Sequence, residues 1–501
     1  MGDLQVPSSD SSSSPSSTQL GSTAATTPVR VASLPVVLSS LALPPKQHAN
    51  PTFSSLPDEL VDQIFSYVEA PPHDDGTPSL KSQPDFWSLC LVNKQCQRAA
   101  TPYLYACFEH ELYKDPQHLH LFLRNIIHDA KLASYVQYIS LKDQESCGLF
   151  QNMRMWREWA STFYRPALAD EDRQLFLEAA RDLQLQRVDA LDTIAEKEEA
   201  QAALLLSRTT DVTQLRMTIP NLGKNRLLLE ILKETTDRGT ALQKLSKFTG
   251  IYYNFDGDID GGFELKPISS LFRLPAIQRI NGVACLEPED DAFKGFDCPE
   301  GTSTVREIDF RRSSVCPKAM SLMVGACRAL RSFYCDWGGH TVGWSEINFP
   351  TVGAALRKQE KSLESLTLDV RKHYDVWPEN EDVLIPPLGS FVGFERLRYI
   401  EAPAAALIGW DEGHVDGFPL LHEILPFSIE KLVINQWSPG IIEHLEKMAE
   451  LCAAMFPLLK EMALHSAPHD ADERKMQELY DKNGAEVRIR FKDGEEVDHF
   501  A

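Results

Sequence analysis

With 501 residues, 43% of them hydrophobic, the chain can bury a large core and needs neither disulfides nor a metal to fold. Its formal net charge of -22 excludes non-specific binding to nucleic acid or to anionic membranes, since both depend on basic surface. The 10 cysteines form no CxxC pair, and Cys90, Cys285, Cys335 and Cys452 lie in apolar runs, as buried thiols do in a reducing compartment.

Residues 1–50 are low in complexity and poor in large side chains, which predicts a disordered tail; Ser14-Pro15 and Thr27-Pro28 are candidate modification sites within it. No secretory leader is expected, because the first 28 residues lack a basic start and an apolar core. VASLPVVLSSLALPP, residues 31 to 45, is too short and too proline-broken to span a bilayer, so the expected location is cytoplasmic or nuclear.

The next stretch, Leu56 to Tyr105, opens LPDELVDQIFSYV. Leu60, Val61, Ile64, Phe65 and Val68 recur at helical spacing, Pro57 suits a first turn, and Asp58 and Glu59 complement the positive end of the helix dipole. The chain resumes FWSLCLVNKQCQRAATPYLY, which reads as a second helix and then a third, Lys94 to Thr101, that Pro102 should stop. Between them lies a polar, proline-rich segment from Glu69 to Asp85. The order LPDEL, IFSYV, LCLVNKQCQRAATPYLY resembles the F-box, over about a tenth of the chain. The segment after Glu69 is longer than the connection usual in that family.

Residues 107 to 135 read as helical. A six-residue form, apolar-x-x-apolar-x-apolar, then recurs as VQYISL at Val136, VTQLRM at Val212, IQRING at Ile277, VREIDF at Val305 and LRSFYC at Leu330. It continues as LESLTL at Leu363, LRYIEA at Leu397, IEKLVI at Ile429 and LKEMAL at Leu459, with looser copies from Leu245 and Ala485. A spacing of roughly 25 to 34 residues from Ile277 onward predicts stacked strands, each returned to the same edge by a helix or loop. LESLTL and LRSFYC resemble leucine-rich repeats, without the Asn or Cys that usually follows. Between Cys147 and Arg208 the pattern pauses for Ala-, Leu- and Glu-rich stretches that read as inserted helices; the stripe Val188, Leu191, Ile194 and Ala195 is too short for a coiled coil.

The expected organisation is therefore a tail (1–50), a three-helix F-box (51–106), a helical linker with the first repeat and inserted helices (107–210), and an irregular leucine-rich-repeat-like α/β solenoid, or horseshoe (211–495).

Catalytic signatures are missing from the sequence. Asp256, Asp258, Asp260 and Gly261 match the start of a calcium-binding loop, but Pro267 stands where its bidentate carboxylate is needed. His118/His120 and His465/His469 lack the glutamate of a zinc hydrolase, and the glycines of GGHTVGWSEINFP belong to no nucleotide-binding motif. No GxSxG elbow is present and no cofactor is expected.

What remains is recognition. Residues between the inward positions of each strand face the open side: Asp309, Tyr334, Asp336, Asp369, Tyr399 and Glu401 are the candidate target-binding residues. Arg279, Asn281, Glu307, Thr367, Lys431 and His465 share that pattern, and the excess of carboxylates hints at a basic partner. The F-box resemblance implies a non-enzymatic substrate receptor of a Skp-cullin-F-box type ubiquitin ligase. A Skp-type adaptor would dock on Leu56, Pro57, Leu60, Ile64, Phe65, Leu89 and Val92, with a cullin scaffold beyond it. The alternative is a repeat scaffold outside any ligase, in which the segment from Glu69 to Asp85 covers the adaptor face.

Overall fold

The computed structural model describes Phe53 and residues 56–73, 76–112, 116–143, 168–182, 198–219, 226–252, 262–287, 296–338, 347–372, 385–410, 419–438, 440–465 and 472–492. The chain divides into two units, Met1–Leu56 and Pro57–Ala501. The expected tail, the calcium-like residues 256–261, the stripe 188–195 and the glycines of residues 339–343 lie outside the described residues. Of the first unit, Phe53 and Leu56 are described, joined by a Leu56 N–H bond to the Phe53 carbonyl.

In the second unit Pro57 caps helix α1 (Asp58–Ser66) with an extended backbone, and Asp58 and Glu59 occupy the first turn. The expected apolar stripe is split: Val61 and Phe65 are buried, whereas Leu60 and Ile64 face outward. Helix α2 (Gln83–Cys90) starts three residues ahead of the expected boundary, because a 3-10 turn, Leu80–Ser82, leads directly into it. Asn93 then caps helix α3 (Lys94–Ala106), its side chain accepting from the Cys96 N–H at 2.8 Å. Pro102 does not end α3, contrary to expectation. The turn around it is held by packing, with Phe86 stacked on Tyr103 at 4.9 Å and Tyr105 on Phe122 at 5.4 Å, which offsets the missing N–H.

Cys107–Leu112 is strand β1, not helix, because Phe108 and His110 alternate into the interior and the segment pairs along its length with β2 (Tyr138–Asp143). The sheet continues through β3 (Gln214–Thr218), β4 (Lys247–Ile251), β5 (Arg279–Val283), β7 (Glu307–Val315), β8 (Ser332–Gly338) and β9 (Ser365–Lys372). It closes with β10 (Tyr399–Ala402), β11 (Lys431–Ile434), β12 (Glu461–His465) and β13 (Arg488–Lys492). The two-residue strand β6 (Leu286–Glu287) pairs with β7 beside this path. Every strand pairing is parallel and, β6 apart, neighbours in space are neighbours in sequence, so the chain returns to the same edge each time.

All eleven copies of the sequence motif are strands. In ten of them the strand starts two residues after the first apolar position, and that position, from Val136 to Leu459, is at most 3% exposed. Intervening helices cover the inner face: α4 (Pro116–His128), α5 (Ala130–Tyr135), α6 (Asp170–Asp182), α7 (Glu198–Arg208) and α8 (Arg226–Asp237) in the first half. A 3-10 segment (Lys266–Arg273) and helices α9 (Pro317–Ala326), α10 (Phe349–Arg357), α11 (Ala404–Ile408), α12 (Leu421–Ile424), α13 (Ile441–Met455) and α14 (Glu473–Lys482) follow. The inserted stretches do supply helices: α7 packs against α4 and α8, and its buried Glu198 meets the buried His110 of β1 at 3.1 Å. One continuous apolar cluster runs from Phe108 on β1 to Ile489 on β13. Gly353 lets α10 approach the next segment, since a Cβ there would stand 1.9 Å from the Leu388 carbonyl oxygen.

Glu287 on β6 is fully buried and accepts the Leu265 N–H at 3.0 Å, and burial pushes its carboxyl up to about 7. At the last strand, Ile489 N–H donates to Gln477 at 2.8 Å, Phe491 N–H to Glu473 at 2.6 Å, and Gln477 donates back to the Val487 carbonyl at 2.9 Å. At the first strand, Gln83 donates to the Cys107 carbonyl at 2.6 Å.

Candidate protein-docking surfaces

Helices α1 to α3 carry an unusual share of the exposed apolar surface. Among the described residues of the second unit, Leu60, Ile64, Tyr67, Trp87, Leu91 and Val92 are six of thirteen exposed large apolar side chains, although they span only residues 60–92. Asp58 fixes their arrangement: it accepts from Gln95 at 3.0 Å and from the Arg98 guanidinium, which tie the start of α1 to the start of α3 and to the Leu91-Val92 turn before it. Those hydrogen bonds, from Arg98 first and then Gln95, hold the Asp58 carboxyl below its ordinary range.

Of the residues expected to meet an adaptor, Pro57, Leu60, Ile64 and Val92 are exposed, Leu56 and Leu89 are half-buried, and Phe65 is buried in the core. Phe65 therefore supports the face and is not part of it. Tyr67, Trp87 and Leu91 were missed; the signal was their i, i+4 and i+7 spacing from Leu60 and Trp87, which places them on the outward side. The two ends of the segment from Glu69 to Asp85 are joined by the Ala70 N–H donating to Ser82 Oγ at 2.6 Å, and the Gly76 carbonyl within it accepts from Gln214 at 3.4 Å. With this segment present, Trp87, Leu91 and Val92 remain 59 to 68% exposed.

The second surface is the open face of the sheet. Strand register places Asn281, Asp309, Tyr334, Thr367 and Glu401 in one row, and Asp336 beside Asp369 in the row above. Arg279, Glu307, Ser332, Ser365, Tyr399 and Lys431 form the row below. The six candidate target-binding residues are thus brought together on β7 to β10. Much of their charge is matched within the chain. Arg311 forks onto Asp309 at 3.1 Å and lies over the Tyr334 ring at 5.3 Å, and Arg371 forks onto Asp369. Arg279 meets Glu307 at 2.5 Å, and Tyr399 donates its hydroxyl to Glu401 at 2.6 Å. Burial, then the neighbouring carboxylates, push the Tyr334 and Tyr399 hydroxyls up, so both stay protonated donors at neutral pH. His465 ends β12 near Arg371 and Lys492, with burial and then those cations holding its imidazole low.

Burial pushes the Cys107 and Cys452 thiols up to about 11 and Cys335 well above its ordinary value, the opposite of what a nucleophilic cysteine requires. Among the described residues no three His, Cys, Asp or Glu side chains are grouped to hold a metal ion, and no helix is long and apolar enough to cross a membrane. No protein-family model matches the chain, and no curated protein matches it in sequence.

Proposed function

We propose that this chain is the substrate-recognition subunit of a Skp-cullin-F-box type E3 ubiquitin ligase. In this reading α1 to α3 form an F-box that docks on a Skp-type adaptor, and the parallel array is a divergent leucine-rich-repeat-like solenoid that holds a target protein. The observation that carries it is the outward apolar set Leu60, Ile64, Trp87, Leu91 and Val92 on three short helices whose sequence resembles an F-box. A strictly sequential parallel sheet is also what stacked strand-helix repeats require. The receptor supplies no chemistry of its own; it raises the concentration of a target lysine near a ubiquitin-charged partner. Exposure of Trp87, Leu91 and Val92 alongside the fastened segment favours this reading over a scaffold with a covered adaptor face.

Capture on an immobilised Skp-type adaptor tests it. Wild type is retained, and Ile64→Glu or Leu91→Glu weakens retention by about 30-fold or more, as loss of a central apolar contact does. Wild type that fails to bind, or Ile64→Glu that binds as well, overturns the proposal.

A further inference from the structure

The open face changes sign toward its last strand. On β7 and β9 the acids Asp309 and Asp369 are matched by Arg311 and Arg371. On β11 to β13 the register sets Lys431, Glu461 and Arg488 in one row, Arg490 in the row above, and Lys492 beside His465 in the next. Among the described open-face residues of these three strands Glu461 is the one carboxylate, against four cations. Lys431 is already committed, 3.2 Å from Glu461 and over the Tyr399 ring, and Arg490 stands 4.0 Å from the same carboxylate. Arg488 and Lys492 form no ion pair among the described residues, and all three cations of β13 are exposed. In a chain of net charge -22 this is a local reversal.

Two titratable groups in the patch register the surplus. Against burial, the cations Lys431, Arg490 and Arg488 hold the Glu461 carboxyl below its ordinary range, while burial and then Lys492 and Arg371 hold the His465 imidazole low. The buried His465 Nε2 makes no hydrogen bond. An acid and an imidazole displaced in the same direction mark a positive field, which an anionic group would relieve.

The chain carries that counter-charge next to the patch. Residues 493–501, DGEEVDHFA, follow Lys492 directly, lie outside the described residues, and hold Asp493, Glu495, Glu496 and Asp498. Asp493-Gly494 is a pair suited to reversing the chain. An extended run from Glu495 to Asp498 spans about 10 Å, and the path from Lys492 back to Arg488 about 13 Å, so the carboxylates of a returning segment meet the three cations. Return along the backbone edge of β13 is already taken, because the Ile489 and Phe491 N–H groups are held by Gln477 and Glu473. The open face is the route left.

We infer that residues 493–498 fold back over the open face of β13, their carboxylates on Lys492, Arg490 and Arg488, as an acidic cover built into the chain. An acidic stretch of another protein has to displace this cover to reach the basic surface beneath it. The inference does not depend on whether α1 to α3 dock an adaptor.

The test titrates full-length chain into a fluorescein-labelled peptide of sequence DGEEVDHFA, followed by anisotropy at low ionic strength. Wild type is compared with the full chain carrying Glu495→Gln, Glu496→Gln and Asp498→Asn together. The neutralised chain binds the peptide about fivefold or more tightly than wild type, because a tethered segment competes at an effective concentration in the millimolar range. Adding Arg488→Gln and Arg490→Gln weakens that binding about tenfold with an unchanged circular dichroism spectrum, and about 1 M salt, where the screening length falls to about 3 Å, abolishes it. Equal binding by wild type and the neutralised chain overturns the cover. Failure of the neutralised chain to bind the peptide overturns the basic site itself, and binding indifferent to the two arginine substitutions overturns its placement on β13.

Discussion

Helices α1 to α3 and the strand array use the same apolar residue types to opposite ends. In the array each motif points its leucines, isoleucines and valines inward, and a single core runs through it. In the helices the stripe is shared, so Val61 and Phe65 fold the segment and Leu60 and Ile64 are left outside. The lesson is that helical periodicity identifies a buried side but does not fix its width. A strand has two faces and no such ambiguity.

Truncating one large side chain in each setting separates the two uses of apolar residues. Phe310→Ala or Phe65→Ala, both at most 1% exposed, should lose about 3–5 kcal/mol in denaturant unfolding. Trp87→Ala, 59% exposed, should lose less than about 0.5 kcal/mol. A Trp87→Ala loss comparable to Phe310→Ala would mean that the outward set is structural.

Glu287 tests the array alone. Because burial raises its folded-state carboxyl to about 7 from 4.5, the folded chain holds a proton there that the unfolded chain has released. Stability is therefore greatest below pH 4.5 as far as this group is concerned, and declines as pH rises toward about 7, by on the order of 2–3 kcal/mol. Glu287→Gln keeps an acceptor for the Leu265 N–H and should flatten that slope; an unchanged pH profile would show the carboxyl to be unimportant.

Smaller effects belong to the ends. Asn93→Ala removes the α3 cap and should lower the melting temperature by the equivalent of about 1 kcal/mol. Gln477→Ala leaves Ile489 N–H and the Val487 carbonyl without their partner, at about 1 kcal/mol, and should also raise the apparent mass in sedimentation at high concentration. An unaltered sedimentation profile would show that the side chain does not protect this edge.

The strands were legible because their inward positions are almost all aliphatic, so the period of two survives from Val136 to Leu464. β1 was hidden because His110 occupies an inward position, supported by Glu198 from a helix 88 residues away, a partnership no local pattern reveals. The third helix was cut short for the converse reason: Pro102 is a strong local stop, overridden by ring stacking with α2. On the open face the six candidates were readable from alternation; Arg311 and Arg371, which continue the same alternation two residues beyond Asp309 and Asp369, were not among them. The excess of carboxylate thus looked larger than it is.

The hydrogen bonds that Gln83 and Gln477 make at the two ends of the sheet separate length from content. The strands between the ends pair with their neighbours in the chain, so duplicating one strand-helix segment away from the Asn435–Leu368 hydrogen bond, which skips β10, should be tolerated as an internal insertion. Removing the helix Glu473–Lys482 by truncation should not be, because it takes β13 away as well and leaves the backbone edge of β12 open to pair with another chain.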